Sequence, residues 1–423
     1  MISLPSKYYL TINEKFELFF RGVVKTHNPS LYYIIAECEK GYTYNRYYTF
    51  TPTLADEGEY QLTILVYSDT GTLLESKSTT LIVNIPEKPC KALNVLCIGD
   101  SETINGVWPY TGYEKFNHEF PGMLNFIGTM QKENVGYEGY GGWQWKTFFE
   151  DQDESPTSML EVECNHNLKS TDLNSIWCSN NLKWMLYKVL DFKLVFKRMP
   201  GNYKVNPNID KKLTNVYTNE EIDVINYEYT CGNPFWNKEV QILDFTDYIK
   251  KNNFKEPDLI FTFLTGNGLY MPYSTEFTAH KKYAPLFLDA LHKAFPHALI
   301  GVMGIELSCP NGGVTACYGA SGYYHDWLGY TMTVFNYDEW LEELTLKNEY
   351  KDYTFYNDIK GQFDSEYNYP TELANVNKRN NQTERLGVNG LHPSMDGYLQ
   401  IGDAFYQFLV EMIKKYNRRN QKL

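Results

Sequence analysis

Leu93-Asn94-Val95-Leu96-Cys97-Ile98 runs directly into Gly99-Asp100-Ser101. So short an apolar run, closed by glycine, predicts a strand buried on both faces of a parallel sheet. In open α/β sheets ligands bind outside the carboxyl ends of the strands. A serine placed there and leading into a helix presents an exposed hydroxyl, with its N–H at the positive end of the helix dipole. The plain alternative is that Ser101 only caps that helix.

Downstream the same grammar repeats. The helix after Ser101 is expected to carry Phe120, Met123, Ile127 and Met130 on one face. Asp258-Leu259-Ile260-Phe261-Thr262-Phe263 reads as a second buried strand and residues 298–303 as a third. Between them Phe287, Ala290, Leu291, Ala294 and Phe295 form a helical stripe that Pro296 ends. Ile401, Phe405, Phe408, Leu409, Met412 and Ile413 line a final amphipathic helix. Alternating strands and helices imply a parallel sheet covered on both sides. Residues 150–230, opening on Glu150-Asp151-Gln152-Asp153-Glu154, contain no clear βα unit and read as an irregular insertion. Such segments are typically a lid or a subsite wall.

Upstream, residues 1–86 read as all-β. Residues 15–24, 31–36, 60–67 and 80–83 are strand candidates, the third with clear period-two alternation. Asp56-x-Gly58-x-Tyr60 fits the tyrosine corner of immunoglobulin-like sandwiches, although Leu62 stands where antibody domains have cysteine. Residues 87–92 are the expected linker, and 93–423 the larger unit.

Composition excludes several functions. With 423 residues the chain is long for one ordinary domain, and its net charge of −13 disfavours a phosphate backbone, so no nucleic-acid partner is expected. No stretch is long and apolar enough to span a bilayer, and the first residues lack a signal-peptide pattern. That leaves a cytoplasmic or virion-associated protein open beside one secreted after losing a leader. The basic run at 414–419 is expected to be a solvated end. Eight scattered cysteines show no zinc spacing, so no metal or cofactor is expected; Cys97 reads as core, and Cys309 and Cys317 could pair if oxidised. Aromatics make up 16% of the chain, which suits a glycan partner and equally suits a tyrosine-rich core.

Three further segments carry chemistry. Glu138-Gly139-Tyr140-Gly141-Gly142-Trp143 offers an uncrowded backbone N–H at Gly139. Leu264-Thr265-Gly266-Asn267-Gly268 puts an amide at a strand's carboxyl end. Gly387-Val388-Asn389-Gly390-Leu391-His392-Pro393-Ser394 puts a histidine just before the last helix.

In that order the four segments resemble the blocks of the SGNH (GDSL) hydrolase family, over residues 92–416 without the insertion. Asn233-Pro234-Phe235-Trp236, leading to Glu256-Pro257-Asp258, is similar to esterases of bacterial polysaccharide degraders, which often carry a β-sandwich before the catalytic domain. The resemblance implies a flavodoxin-like three-layer αβα fold behind a small immunoglobulin-like sandwich. It also implies Ser101 as nucleophile, His392 as general base, and an oxyanion hole from the N–H groups of Ser101 and Gly139 and the Asn267 side chain. Trp143, Trp145 and Tyr270 are candidates for stacking on sugar.

Two departures stand out. The family's Asp three residues before the His is Asn389 here, and the residue after the block Asn is Gly268. Asn389 can accept from the imidazole but brings no charge; Asp396 and Glu384 are possible substitutes. Glu102 is expected in the first turn of the helix, with the cleft as the alternative. Two functions follow: an esterase removing short acyl groups, above all acetyl, from an acylated glycan, or a surface- or virion-associated glycan binder on a degenerate scaffold. Oligomer or particle assembly fits either.

Overall fold

The structure, a computed structural model, describes residues 1–423 apart from 27, 152–155, 164–183, 191–192, 199–211, 215–220, 231–232, 265, 270–276, 311–326, 388 and 422–423. Seven strands come first: β1 (Lys7–Thr11), β2 (Phe16–Phe19), β3 (Tyr33–Glu37), β4 (Tyr42–Thr43), β5 (Tyr47–Phe50), β6 (Gly58–Tyr67) and β7 (Leu73–Asn84). They make a four-stranded sheet, β1-β7-β6-β3, and a three-stranded one, β2-β5-β4. Alternation along β6 buries Leu62, Ile64 and Val66 against Phe16, Leu18 and Tyr48 of the other sheet. The Tyr48 hydroxyl donates to the Lys40 carbonyl at 2.6 Å. Tyr60 packs edge-on against Phe50 under the Lys40 ammonium.

The strand expected over residues 15–24 stops at Phe19, and a short 3-10 turn, Phe20–Gly22, takes its place. The reason is docking: a Cβ on Gly22 would overlap the Lys360 carbonyl, and the Phe19 N–H donates to the Gly361 carbonyl at 2.7 Å. Residues 87–92 are fastened to the end of the last helix and to the residue before β19. Asn417 accepts from the Cys90 N–H at 2.9 Å and donates to Glu87 at 2.8 Å, and Lys91 pairs with Asp258.

Next come β8 (Leu93–Gly99), α1 (Val107–Glu119), β9 (Leu124–Ile127), β10 (Met130–Lys132) and β11 (Val135–Gly139). The helix expected to carry Phe120 through Met130 therefore ends earlier. Pro121-Gly122 breaks it, and Ile127 and Met130 beyond belong to the short strands β9 and β10. The insertion is not irregular: β12 (Pro156–Glu163), β13 (Trp184–Leu190), β14 (Lys193–Arg198), β15 (Lys212–Thr214) and β16 (Glu221–Thr230) form an antiparallel sheet ordered β13-β14-β12-β16-β15. After the small pair β17 (Trp236–Asn237) and β18 (Ile242–Leu243) come α2 (Phe245–Lys251), β19 (Leu259–Phe263), α3 (Thr278–Ala294), β20 (Leu299–Met303), α4 (Trp327–Thr345) and β21 (Thr354–Asn357). A hairpin, β22 (Thr371–Asn377) and β23 (Asn380–Gly387), leads into α5 (Met395–Asn420).

The main sheet runs β10-β11-β8-β19-β20-β21, with β9 pairing the first half of β8 beside β11. All pairings except β10–β11 are parallel. Leu93, Val95 and Cys97 of β8 face α1 and α5, while Leu96 and Ile98 face the layer of α2, α3 and α4. Alternation thus explains the continuous apolar run: both faces of the strand are covered. From β8 the chain first builds outward to β9–β11 and then to β19 on the opposite edge. That reversal is a topological switch point at the carboxyl ends of β8 and β19, the place where open α/β sheets form a ligand crevice.

The basic end is solvated only in part: Arg418 is exposed, but the two lysines before it are tied down. Lys414 is 9% exposed and pairs with Glu57 at 2.9 Å, and Lys415 pairs with Glu411 on the same helix. Among the described residues no helix is long and apolar enough to cross a membrane.

Candidate active site

Ser101 follows β8 at this crevice, in a turn rather than at a helix end, because α1 begins only at Val107. The turn is held by backbone bonds from Thr103 N to Asp100 O and Gly106 N to Thr103 O, and by Trp108 Nε1 donating to Thr103 Oγ1. Ser101 therefore does not sit at the N-terminus of α1, and its hydroxyl is not exposed: the residue is 7% accessible. His392 is equally buried. Its Nε2 lies 3.2 Å from Ser101 Oγ, joining residues 291 apart in sequence. Burial lowers His392 far below an ordinary histidine, to about 3, so the ring is neutral and its fold surroundings oppose the charge it would gain as a base.

The loop before α5 is fixed through Asn389. Its Oδ1 accepts from the N–H groups of Leu391 at 3.1 Å and His392 at 3.0 Å, shaping the backbone rather than the ring. Gly390 O takes the Cys309 N–H at 2.9 Å, and Ser394 caps α5 by accepting from Gly397 N. Neither substitute carboxylate comes to the ring: Asp396 is exposed in the first turn of α5, and Glu384 is exposed on β23. The carboxyl that does approach is Glu102, with Oε1 3.7 Å from His392 Nε2. It lies outside any helix and 3% exposed, which overturns the helix-turn expectation.

Asn267 stands after β19, on the other side of the crevice. Its Nδ2 donates to Asp100 Oδ2 at 2.8 Å and to the Trp143 carbonyl at 3.0 Å, so both amide hydrogens are engaged. Gly139 ends β11, paired with Gly99. It is packed on the turn after Ser101: a Cβ there would sit 2.7 Å from Ile104 N and Cα. Glu138 anchors this strand end, accepting from Tyr140, from Tyr248 at 2.6 Å and from Thr129.

Two of the sugar-stacking candidates are core residues. Trp143 is 2% exposed and stacks on Tyr140 at 4.2 Å. Trp145 is 1% exposed, and its Nε1 donates to the Tyr337 hydroxyl at 2.8 Å. Neither has a free face for a sugar ring. Tyr270 lies outside the described residues, as does Cys317, the proposed partner of buried Cys309.

Sequence reasoning gave no role to Glu306, in the loop after β20. It is 5% exposed, and burial together with Asp100 and Asp338 pushes its carboxyl up to about 8. Glu102 is raised as well, first by burial and then by Glu306 and Asp100. Three acids thus crowd the floor beneath Ser101 and His392. The only sequence signals were Glu102 beside the serine and a polar residue following the apolar strand β20.

No protein-family profile matches the chain. No curated protein matches it either. Among solved structures, a peptidoglycan O-acetylesterase aligns with a TM-score of 0.32 and 10% identity, over 77% of this chain and 92% of its own. SGBP-B of the Bacteroides ovatus mixed-linkage glucan utilization locus, in complex with a mixed-linkage heptasaccharide, aligns with a TM-score of 0.15 and 8% identity, over 52% of this chain and 43% of its own. A Photobacterium 2,6-sialyltransferase aligns with a TM-score of 0.17 and 9% identity, over 85% of this chain and 55% of its own.

Proposed function

We propose that this chain is a serine ester hydrolase of the SGNH type that removes short acyl groups, acetyl above all, from a carbohydrate. The observation that carries the proposal is the 3.2 Å approach of Ser101 Oγ to His392 Nε2 at the crevice. In this mechanism Ser101 gives its proton to neutral His392 as Oγ attacks the ester carbonyl carbon. The developing oxyanion takes hydrogen bonds from the N–H groups of Ser101 and Gly139 and from the Asn267 amide, one of whose hydrogens re-aims from its present acceptor. His392 then protonates the leaving alkoxide, and a water activated by the same ring hydrolyses the acyl-serine. A serine only 7% accessible suits a small acyl group better than a long chain.

The proposal extends to architecture. Residues 1–86 form an immunoglobulin-like unit, 87–92 the connection, and 93–423 a flavodoxin-like hydrolase unit with its insertion near 150–230.

Acetate release from a short-chain aryl ester and then from acetylated polysaccharides, wild type beside Ser101→Ala, tests it. Turnover by the wild type alone supports the esterase; equal rates in the two proteins exclude it. One observation favours the second reading, a glycan binder without turnover. Asn389 spends its acceptor on backbone N–H groups, so position 389 offers His392 no charge. A folded wild type that retains glycan and releases no acid would establish that reading instead.

A further inference from the structure

A buried imidazole that takes a proton becomes a buried cation, and the fold must either balance that charge or forgo the step. Position 389 supplies no charge, and the substitutes Asp396 and Glu384 are exposed. Glu102 is different. Its Oε1 lies 3.7 Å from His392 Nε2, the nitrogen that faces Ser101. The side chain is 3% exposed, and the Tyr398 hydroxyl of α5 reaches its carboxyl. Contrast Glu138, as deeply buried, whose carboxyl is saturated by Tyr140, Tyr248 and Thr129. Glu138 braces the fold through four hydrogen bonds; Glu102, buried beside the histidine with only the Tyr398 hydroxyl reaching its carboxyl from α5, has no comparable bracing role.

We infer that Glu102 is the positioning residue of the Ser101–His392 pair, its carboxylate supplying the negative charge that stabilises the His392 imidazolium. The inference rests on the proposed esterase reaction. In each half-reaction the Oγ–H or water O–H bond breaks, its proton moves to Nε2, and the oxygen's electron pair forms the bond to the acyl carbon. The proton then passes from Nε2 to the departing oxygen. Glu102 takes no proton in these steps; it stays anionic and offsets the charge on the ring.

This assignment makes activity depend on the ionisation of Glu102. Four groups face it besides His392: Asp100 from the end of β8, Glu306 from the loop after β20, Tyr398 from α5, and Tyr369. Burial, Glu306 and Asp100 hold the carboxyl protonated well above the usual carboxylate range, and the Tyr398 hydroxyl opposes them. His392 is neutral throughout that range. Turnover should therefore rise with pH as Glu102 ionises. Removing the Glu306 charge should move that rise to lower pH.

The test is the pH dependence of kcat and KM for the full chain on a short-chain aryl ester, in wild type, Ser101→Ala, Glu102→Gln, Glu102→Asp and Glu306→Gln. We expect Glu102→Gln to lower kcat about 10²-fold or more at little change in KM and to flatten the rise. Glu102→Asp should restore part of kcat together with the rise, and Glu306→Gln should shift the rise acidward. Glu306→Gln keeps Glu102 in place, so it decides the matter even if Glu102→Gln fails to fold. A wild-type profile in Glu102→Gln, or an unmoved rise in Glu306→Gln, overturns the inference while leaving the esterase intact. A wild type that neither turns over nor reacts at Ser101 with an activated phosphonate overturns both.

Discussion

Asn267 Nδ2 lies 2.8 Å from Asp100 Oδ2, tying the end of β19 to the end of β8 across the crevice. The amide proposed for the oxyanion thus also satisfies a fully buried carboxyl. Asn267→Ala should show two separable losses. One is a fall in kcat of about 10²–10³-fold from the missing oxyanion donor. The other is a stability loss of about 1–3 kcal/mol from the donor taken away from Asp100. Steady-state kinetics beside urea unfolding separates them; a lower midpoint with unchanged kcat would leave Asn267 a structural tie only.

Gly139 tests close packing beneath the serine. Its Cβ position lies 2.7 Å from the backbone of Ile104, which cannot swing aside as a side chain could. Gly139→Ala should cost about 1–3 kcal/mol and displace the turn that carries Ser101. The checks are the melting temperature and kcat, and both should fall. Gly142→Ala is a contrasting control. Its Cβ position meets nothing, and only its positive φ of 81° opposes the change.

A buried ionic cluster joins the N-terminal sheets to the rest. Lys360, 2% exposed, pairs with Asp358 and lies 3.5 Å from Asp338, while the Tyr8 hydroxyl donates to Asp358 at 2.6 Å. Lys360→Met leaves two buried carboxyls without their cation and should destabilise the protein by about 3–5 kcal/mol. Tyr8→Phe removes one charge-assisted hydrogen bond and should cost about 1.5–3 kcal/mol. Urea denaturation of both variants should reproduce that order.

Stability should fall as pH rises through neutrality. A carboxyl raised in the folded state holds its proton more tightly than in the unfolded chain, so its contribution is full below the unfolded value. It is lost as pH climbs to the folded one. For Glu306 that window runs from 4.5 to about 8, and Asp338, raised to about 7 mainly by burial, acts with the same sign. His280 and His392 work oppositely, lowered by burial from 6.5 to about 4 and about 3, so their contribution is lost only as pH falls below 6.5. Between pH 6.5 and 8 the carboxyls act alone. The wild-type melting temperature should drop across that interval, and Glu306→Gln should drop less. An equal drop in both proteins would refute the assignment.

The parts of the fold readable in the sequence were those where one physical demand dominates. β8, β19 and β20 are buried on both faces and so are built almost wholly of apolar residues, Thr262 being an exception, and α5 keeps a regular stripe because one side packs on the sheet. The region after α1 misled because Leu124–Ile127 is too short for its period to separate strand from helix. The insertion misled for want of a βα rhythm, although the alternation in Glu221–Thr230 was there to see. In the site, Ser101 and His392 were visible as motif residues. Burial was not visible: it turned Trp143 and Trp145 from a sugar platform into core and brought Glu102 to the histidine. Which neighbour covers a side chain depends on elements hundreds of residues away, and no local pattern encodes it.

The same distance bears on how the chain reaches its native state. Thr11 N–H donates to Gln407 at 3.2 Å across 396 residues, and Asn84 donates to Glu411 across 327. Folding to this structure therefore has a high contact order, and loop closure must precede much of the stabilisation it brings. During synthesis β1 and β7 emerge long before α5 exists to cover them. Their apolar and polar partners stay exposed for that interval, when association with other nascent chains competes with correct docking. Yield on expression should then depend on temperature and chaperone supply more steeply than the stability of the finished protein would suggest.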